Sequence, residues 1–435
     1  MSRLFEKFTV GNQEIIALSD GAPERALGGF FNGVDPALWT AALGISSPDE
    51  GVPFNFGTFL IRSGGRNILI DSGYGTPAKA MGILGGGELP DRITEAGLKP
   101  EDITDVLHTH LHGDHIGWNV TPDANGGADR LTFPNATFHI AARELDYWLN
   151  GAPKDDDRTK VAARNTVPIQ AAGHIKTFDS ETEVLPGISA VFTPGHTPGH
   201  TSFLVASGGA EVLIVGDAAH HPVHFEHHDW IPGVDLDPAE STRSRGKLSA
   251  LAADRGSMVT GGHFPILTLG YVRRVDAGYR WEGKLVLIET GVGGKPGDRD
   301  VATAASDGNL MTSLDAIGVR PEEIDVVVNS HLHFDHCGWN TIVDPAAKDE
   351  ERFIPTFPNA TYWINAKEWE DATHPNERTR GTYFPRNLDP IADRLELVDG
   401  ERKITDELTF VPAPGHTEGH STVVIRSGQE WGVYL

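Results

Sequence analysis

Short apolar runs rich in β-branched residues recur along the chain: GTFLIR at 57–62, RNILID at 66–71, DVLHTH at 105–110, ISAVFT at 188–193, TSFLVA at 201–206 and EVLIVG at 211–216. Bounded by glycine, asparagine and aspartate turns, runs of this length predict strands. Helical signals alternate with them. In Asp237-Pro238-Ala239-Glu240 a capping aspartate precedes proline at the first helical position and glutamate at the third, predicting a helix through Ala253. The class is therefore α/β. Residues 21–53 with Phe54, rich in glycine, proline and aromatics (Phe30, Phe31, Trp39), read as one long loop, and long loops in compact domains are often functional.

The pattern repeats. THLHGDHIGWN at 109–119 returns as SHLHFDHCGWN at 330–340, and FPNATFHIAARE at 133–144 as FPNATYWINAKE at 357–368. TPGHTPGHTSFLV at 193–205 returns as APGHTEGHSTVVI at 413–425, and ILIDSGYG at 68–75 as VLIETGVG at 286–293, an offset of about 220 residues throughout. The first DSG turn follows some 65 residues of chain, whereas the second copy's ETG turn follows the first copy's end almost at once. The final EWGVYL aligns with EVLIVG just before Asp217, leaving no counterpart of Asp217 or His263. The expected organisation is a complete domain over 1–282 and a truncated repeat over 283–435. Missing edge strands would leave backbone groups unpaired, inviting association with another chain, as in a homo-oligomer.

Composition narrows the field. With 39% hydrophobic residues among 435, sizeable cores can form. A single cysteine, Cys337, excludes an intrachain disulfide and a cysteine-based zinc cage, so any metal site must use histidine and carboxylate. The formal charge of -25 opposes polyanion binding, so no nucleic-acid partner is expected. Neither a signal-peptide run nor a membrane-length apolar run is visible, and the expected location is the cytoplasm, with no membrane partner.

His110, His112, Asp114 and His115 lie on a glycine-flanked turn after the run DVLHTH. Two histidines at i and i+2 on an extended end share a side, while Asp114 and His115 on the next turn can address a second ion. His196 follows ISAVFT, Asp217 ends EVLIVG and His263 follows SMVTGG, so separate strand ends can deliver ligands to one centre. Imidazole with carboxylate suits zinc first, and also iron, manganese or cobalt. His108, one strand step from His110, is not counted as a ligand.

The HxHxDH turn, the PGHTPGH loop, the LIVGD strand end and the late GGHFP histidine resemble the metallo-β-lactamase superfamily over residues 1–280. The resemblance implies an αββα four-layer sandwich, one metal on His110, His112 and His196, a second on Asp114, His115 and His263, and Asp217 bridging. Asp71 would orient a ligand imidazole. Within the superfamily, the GDAAHHP segment and the HFP ending are most similar to the branch of N-acyl homoserine lactone lactonases and methyl parathion hydrolase. That branch implies a dinuclear hydrolase in which a hydroxide shared by two divalent metals attacks a small ester or lactone, with organophosphates as a further substrate class. Asp114 would carry the proton to the leaving group.

His220 stands where those lactonases carry a tyrosine, and an imidazole can donate an equivalent hydrogen bond. The competing view is a solvated run formed by His220, His221, His224, His227 and His228. Phe30, Phe31, Trp39, Phe54, Trp118 and Trp230 are candidates for an apolar substrate wall or for core. In the second copy, His331, His333 and His416 could hold one ion and Asp335 with His336 could begin another. A glyoxalase-type thioesterase, a mononuclear iron dioxygenase and a non-catalytic metal-binding or assembly module are the alternatives.

Overall fold

The computed structural model describes residues 5–26, 30–43, 45–83, 86–123, 129–265, 268–295, 309–317, 319–347, 352–405, 408–427 and 430–434. The chain divides into two compact units, Met1–Gly283 and Lys284–Leu435.

In the first unit, Phe5–Val10, Gln13–Ser19, Gly57–Ser63, Arg66–Ile70, Asp105–Leu107, Thr137–Ala141 and Ile175–Phe178 form one seven-stranded sheet in that order. Its first four strands are antiparallel and the rest join in parallel. Glu183–Leu185, Ile188–Phe192, Thr201–Ser207, Ala210–Ile214, Met258–Thr260, Gly270–Val275 and Gly278–Gly283 form the second. Its one parallel pair, Ala210–Ile214 with Met258–Thr260, is joined through the helix Pro238–Arg255.

Alternation along the strands decides the layers. Ile15, Ile61, Ile68, Ile70 and Leu107 face Ile188, Phe203, Val205, Val212 and Ile214 across the interior. The intervening Ile16, Leu60, Leu69 and Val106 point the other way, onto Leu89 and Ile93 of the helix Leu89–Glu95 and Ile169 of the helix Asp157–Ala171. Behind the second sheet, Leu204, Leu213 and Val259 meet Leu248 and Ala252 of Pro238–Arg255. Strands buried on both faces read as continuous apolar runs, and each such side chain contributes about 1.5–3 kcal/mol. The layers are thus helix, sheet, sheet, helix.

The helix at 238 begins as the sequence predicts, with Asp237 accepting from Glu240 N at 3.0 Å, and ends at Gly256 in a left-handed cap. The stretch 21–53 differs from the expected loop. It holds a helix, Pro36–Leu43, and a small antiparallel pair, Glu24–Ala26 with Gly51–Pro53. Asp35 accepts from Ala37 N at 2.9 Å and Pro36 opens the helix, the same Asp-Pro start as at 237. Trp39 anchors it, buried with Phe31, Val52 and Trp230.

The second unit keeps the parallel part of the first sheet and the opening of the second. Leu285–Ile288, Ile324–Val328, Thr361–Asn365 and Leu395–Val398 form a four-stranded parallel sheet. Arg402–Lys403, Leu408–Pro412, Ser421–Ser427 and Glu430–Tyr434 form a four-stranded antiparallel one. Among its described residues, nothing matches the three antiparallel strands that open the first unit.

Candidate metal centre

Strand Asp105–Leu107 ends three residues before His110, and the one-turn helix Gly113–Ile116 follows His112. This strand-to-turn corner aims His110, His112, Asp114 and His115 to one side. His196 leaves the end of Ile188–Phe192, Asp217 the end of Ala210–Ile214, and His263 the end of Met258–Thr260. His110, His112, His196 and Asp217 bring one donor atom each within 4.8 Å of one another, and so do Asp114, His115 and His263. Asp217 joins the groups. Its Oδ1 lies 3.0 Å from His115 Nε2, and its Oδ2 lies 3.3 Å from His196 Nε2 and 3.2 Å from His263 Nε2.

The outward nitrogens of these rings are committed. Asp235 holds His196 Nδ1 at 2.9 Å and is itself held by Arg245 Nη2 at 2.7 Å. Asp71 Oδ2 holds His115 Nδ1 at 2.8 Å, and the Asn55 carbonyl holds His263 Nδ1 at 2.7 Å. Carboxylates and carbonyls only accept here, so each of these Nδ1 atoms carries the proton and each Nε2 presents a lone pair to the centre. Yet the lone pairs of His115 Nε2 and His263 Nε2 face each other at 3.2 Å, and beside His196 the buried Nε2 of His112 has no hydrogen-bond partner at all. Buried acceptors that face only acceptors repel unless cations stand between them. The donor set fits two divalent ions sharing Asp217.

The electrostatics agree. Burial, reinforced by neighbouring imidazoles, drives His110 and His112 well below the usual histidine range. Burial opposes ionisation of Asp217 too, but the surrounding histidines hold it well below the ordinary carboxylate value. Burial resists a charge on His115, yet Asp217, Asp71 and Asp114 raise its pKa, so the carboxylates around this ring favour positive charge there, whether a proton or a metal ion carries it.

His220 is buried, with Nε2 3.2 Å from Asp217 Oδ2 and its ring parallel to His263 at 5.4 Å. The view of this run as solvated fails: His224 is also buried, its Nδ1 accepting from His220 N, and His227 stacks on Trp230. Phe54 stacks on His263 with centroids 4.1 Å apart, and Phe30 meets His220 edge-on at 5.3 Å. Phe31, Trp39 and Trp230 form a cluster of their own. Trp118 is core, packed behind the first sheet with its Nε1 donating to Asp20. His108 is buried, and its Nε2 meets Asn119 Oδ1 at 3.0 Å.

Several supporting groups had not been singled out. Glu144, fully buried, accepts from Leu111 N at 2.9 Å, Trp148 Nε1 at 2.7 Å, Thr197 Oγ1 at 2.7 Å and Gly199 N at 3.0 Å. It ties the turn bearing His110 and His112 to the loop bearing His196. Burial pushes its carboxyl up and those donors hold it back. A Cβ on Gly199 would stand 2.2 Å from Glu144 N, so only glycine admits this approach. His200 Nε2 accepts from Asp217 N at 2.9 Å and sets that carboxylate's backbone. The signal for Glu144 and His200 was present: both recur in the second copy, as Glu368 and His420. Asp235 and Asn55 left none.

In the second unit, His331, His333 and His416 also bring their nitrogens within 4.8 Å of one another. Glu289 Oε2 meets His336 Nδ1 at 3.1 Å, as Asp71 meets His115. Asp71 and Glu289 are the only non-glycine residues with positive φ among those described, at 61° and 65°. Such backbone costs energy and persists where its surroundings over-determine it. Asp335 is half-exposed, with Oδ2 3.8 Å from His336 Nε2.

The family model of the metallo-beta-lactamase superfamily matches residues 58–263 and again 275–430. The N-acyl homoserine lactonase AttM of Azorhizobium caulinodans is 31% identical over 183 residues, 40% of this chain and 63% of that one. This chain therefore spans less than two thirds of that relative. Among solved structures, the hydrolase AbOPH is matched at 25% identity and a TM-score of 0.56, over 65% of this chain and 97% of its own. The dizinc quorum-quenching lactonase AidC, in complex with a homoserine product, is matched at 26% identity and a TM-score of 0.56, over 65% of this chain and 98% of its own. With the four layers, the shared-aspartate clusters and the double match, this chain belongs to the metallo-beta-lactamase superfamily.

Proposed function

We propose that residues 1–282 form a dinuclear metal-dependent hydrolase acting on a lactone or ester of a small molecule with an apolar acyl part. The carrying observation is the pair of histidine and aspartate clusters that Asp217 joins. His110, His112 and His196 would hold one ion, Asp114, His115 and His263 the other, with zinc the first candidate. When bound, such ions supply a hydroxide nucleophile near neutral pH and polarise the carbonyl oxygen.

The chain's own groups do the rest. Asp235, Asp71 and the Asn55 carbonyl fix three imidazoles so that their lone pairs need no reorganisation during reaction. His220 presents Nε2 beside Asp217, from where its N–H reaches a carbonyl oxygen held at the centre. Asp114, partly exposed and with Oδ2 3.5 Å from His263 Nε2, carries a proton to the leaving oxygen. Phe30 and Phe54 offer an apolar wall beside these groups, supporting an acyl substrate. Its likeness to an N-acyl homoserine lactonase and to a dizinc lactonase supports the same class.

The test is turnover of acyl homoserine lactones, simple lactones, aryl esters and phosphotriesters by purified protein, before and after chelation and with zinc restored. Lactone or ester hydrolysis that is lost on chelation and regained with zinc is expected. Failure on every class with metal bound, or hydrolysis indifferent to chelation, overturns the reading.

A further inference from the structure

We propose that Arg25 forms an anion subsite beside the metal centre, so that the preferred lactone or ester carries a carboxylate some bonds away from its reacting carbonyl. This rests on the hydrolase reading above and narrows its substrate class. Arg25 lies on the exposed strand Glu24–Ala26, with Cζ 4.7 Å from the centre of the Phe54 ring and 5.5 Å from that of Phe56. Phe54 also stacks on His263 at 4.1 Å, so a single aromatic ring touches both the cation and a proposed metal ligand. The backbone fixes this placement. Phe54 N donates to Pro23 O at 2.9 Å and Phe56 N to Gly21 O at 2.8 Å. These bonds tie the segment leading to Arg25 to the one bearing Phe54 and Asn55, whose carbonyl holds His263.

Stacking occupies the face of a guanidinium and leaves its five N–H groups pointing outward in the plane. Among the described residues, no carboxylate or carbonyl takes up those of Arg25. The neighbouring Glu24 instead lays its side chain against Gly51 of the paired strand. Arg158, whose charge also reaches His112, is different: Asp156 holds its Nη2 at 3.1 Å and its backbone N at 2.8 Å. Arg25 is thus a cation oriented by two rings with its fork unspent, and that fork matches a carboxylate in two parallel hydrogen bonds. The formal charge of -25 repels anions at long range, so an anionic substrate needs a local cation of this kind.

The test compares the p-nitrophenyl half-ester of adipic acid with its neutral methyl-capped counterpart, on zinc-loaded wild type, R25M and R25K. R25M keeps an apolar stem over Phe54 and removes only the charge. R25M is expected to raise KM for the charged ester about tenfold, with kcat and the neutral ester unchanged. R25K should fall between, because an ammonium lacks the fork, and added salt should shrink the difference. Equal effects on both esters, or none on either, overturn the proposal and leave the hydrolase reading intact. Calorimetric binding of adipate against monomethyl adipate needs no turnover and separates the two readings. A wild-type preference for adipate that R25M abolishes is expected even if neither ester is hydrolysed; no preference overturns the subsite.

Discussion

Glu144 in the first unit and Glu368 in the second each bridge a histidine turn to a histidine loop, and each is approached by a glycine whose Cβ would collide with it. Asp71 and Glu289 each sit in left-handed backbone and grip the last histidine of the turn. What differs is closure. In the first unit Asp217 and His263 complete the cluster from further strands, and Asp235 fixes His196. The described residues of the second unit offer His331, His333 and His416 with no carboxylate among them. The frame that places the first ligands is therefore separable from the groups that pair two ions, because the frame rests on one buried carboxylate that joins the histidine turn to the histidine loop.

The sharpest break of this comparison is D217N. Replacing the shared carboxylate by a neutral amide should remove lactone turnover and lower metal content together; full metal loading with unchanged turnover would sink the two-metal mechanism. Next come the frame carboxylates. E144A leaves four buried donors unpaired and should destabilise the first unit by about 3 kcal/mol or more, read by denaturant unfolding. E368A should do the same to the second unit while lactone turnover persists. D71N should weaken metal binding by roughly 10- to 100-fold in a chelator competition, whereas E289Q should leave turnover untouched.

The smallest effect concerns acid. Asp105, 2% exposed, is paired with His139 at 2.9 Å and Arg66 at 2.8 Å; burial works against its charge, but these partners bring its pKa down to about 2. A depressed carboxylate contributes stability above its ordinary value near 3.8 and loses it as pH falls toward about 2. Acid unfolding of the first unit should therefore steepen in that window by on the order of 1–2 kcal/mol, and D105N should flatten it. The second unit has Val326 and Trp363 at the matching strand positions and should show no such limb.

Much of the site was legible because its ligands sit in repeated motifs at strand ends, where spacing carries geometry. His110, His112 and His115 converge as a short turn requires, and the capped helix at 238 begins at its Asp-Pro signal. The helix over 36–43 carries that same signal and was missed because glycine and proline around it dominate the composition. For His220 and His224 the sequence left a substrate-facing imidazole and a solvated histidine run both open, since burial depends on Phe30, Phe31 and Phe54, distant in sequence. Asp235 was invisible for a similar reason: its partners His196 and Arg245 lie 39 and 10 residues away in elements joined only by the fold.

A buried centre of crowded imidazoles and one shared carboxylate would also tie the protein's lifetime to metal supply. Ions that bind the native state and not the unfolded chain stabilise it by about 1.4 kcal/mol for every tenfold excess of free ion over the dissociation constant. With divalent metal scarce, the crowded ring nitrogens would lose that compensation. The first unit should then open more often and fall to proteases sooner, so that abundance follows the metal pool before any catalytic rate is measured.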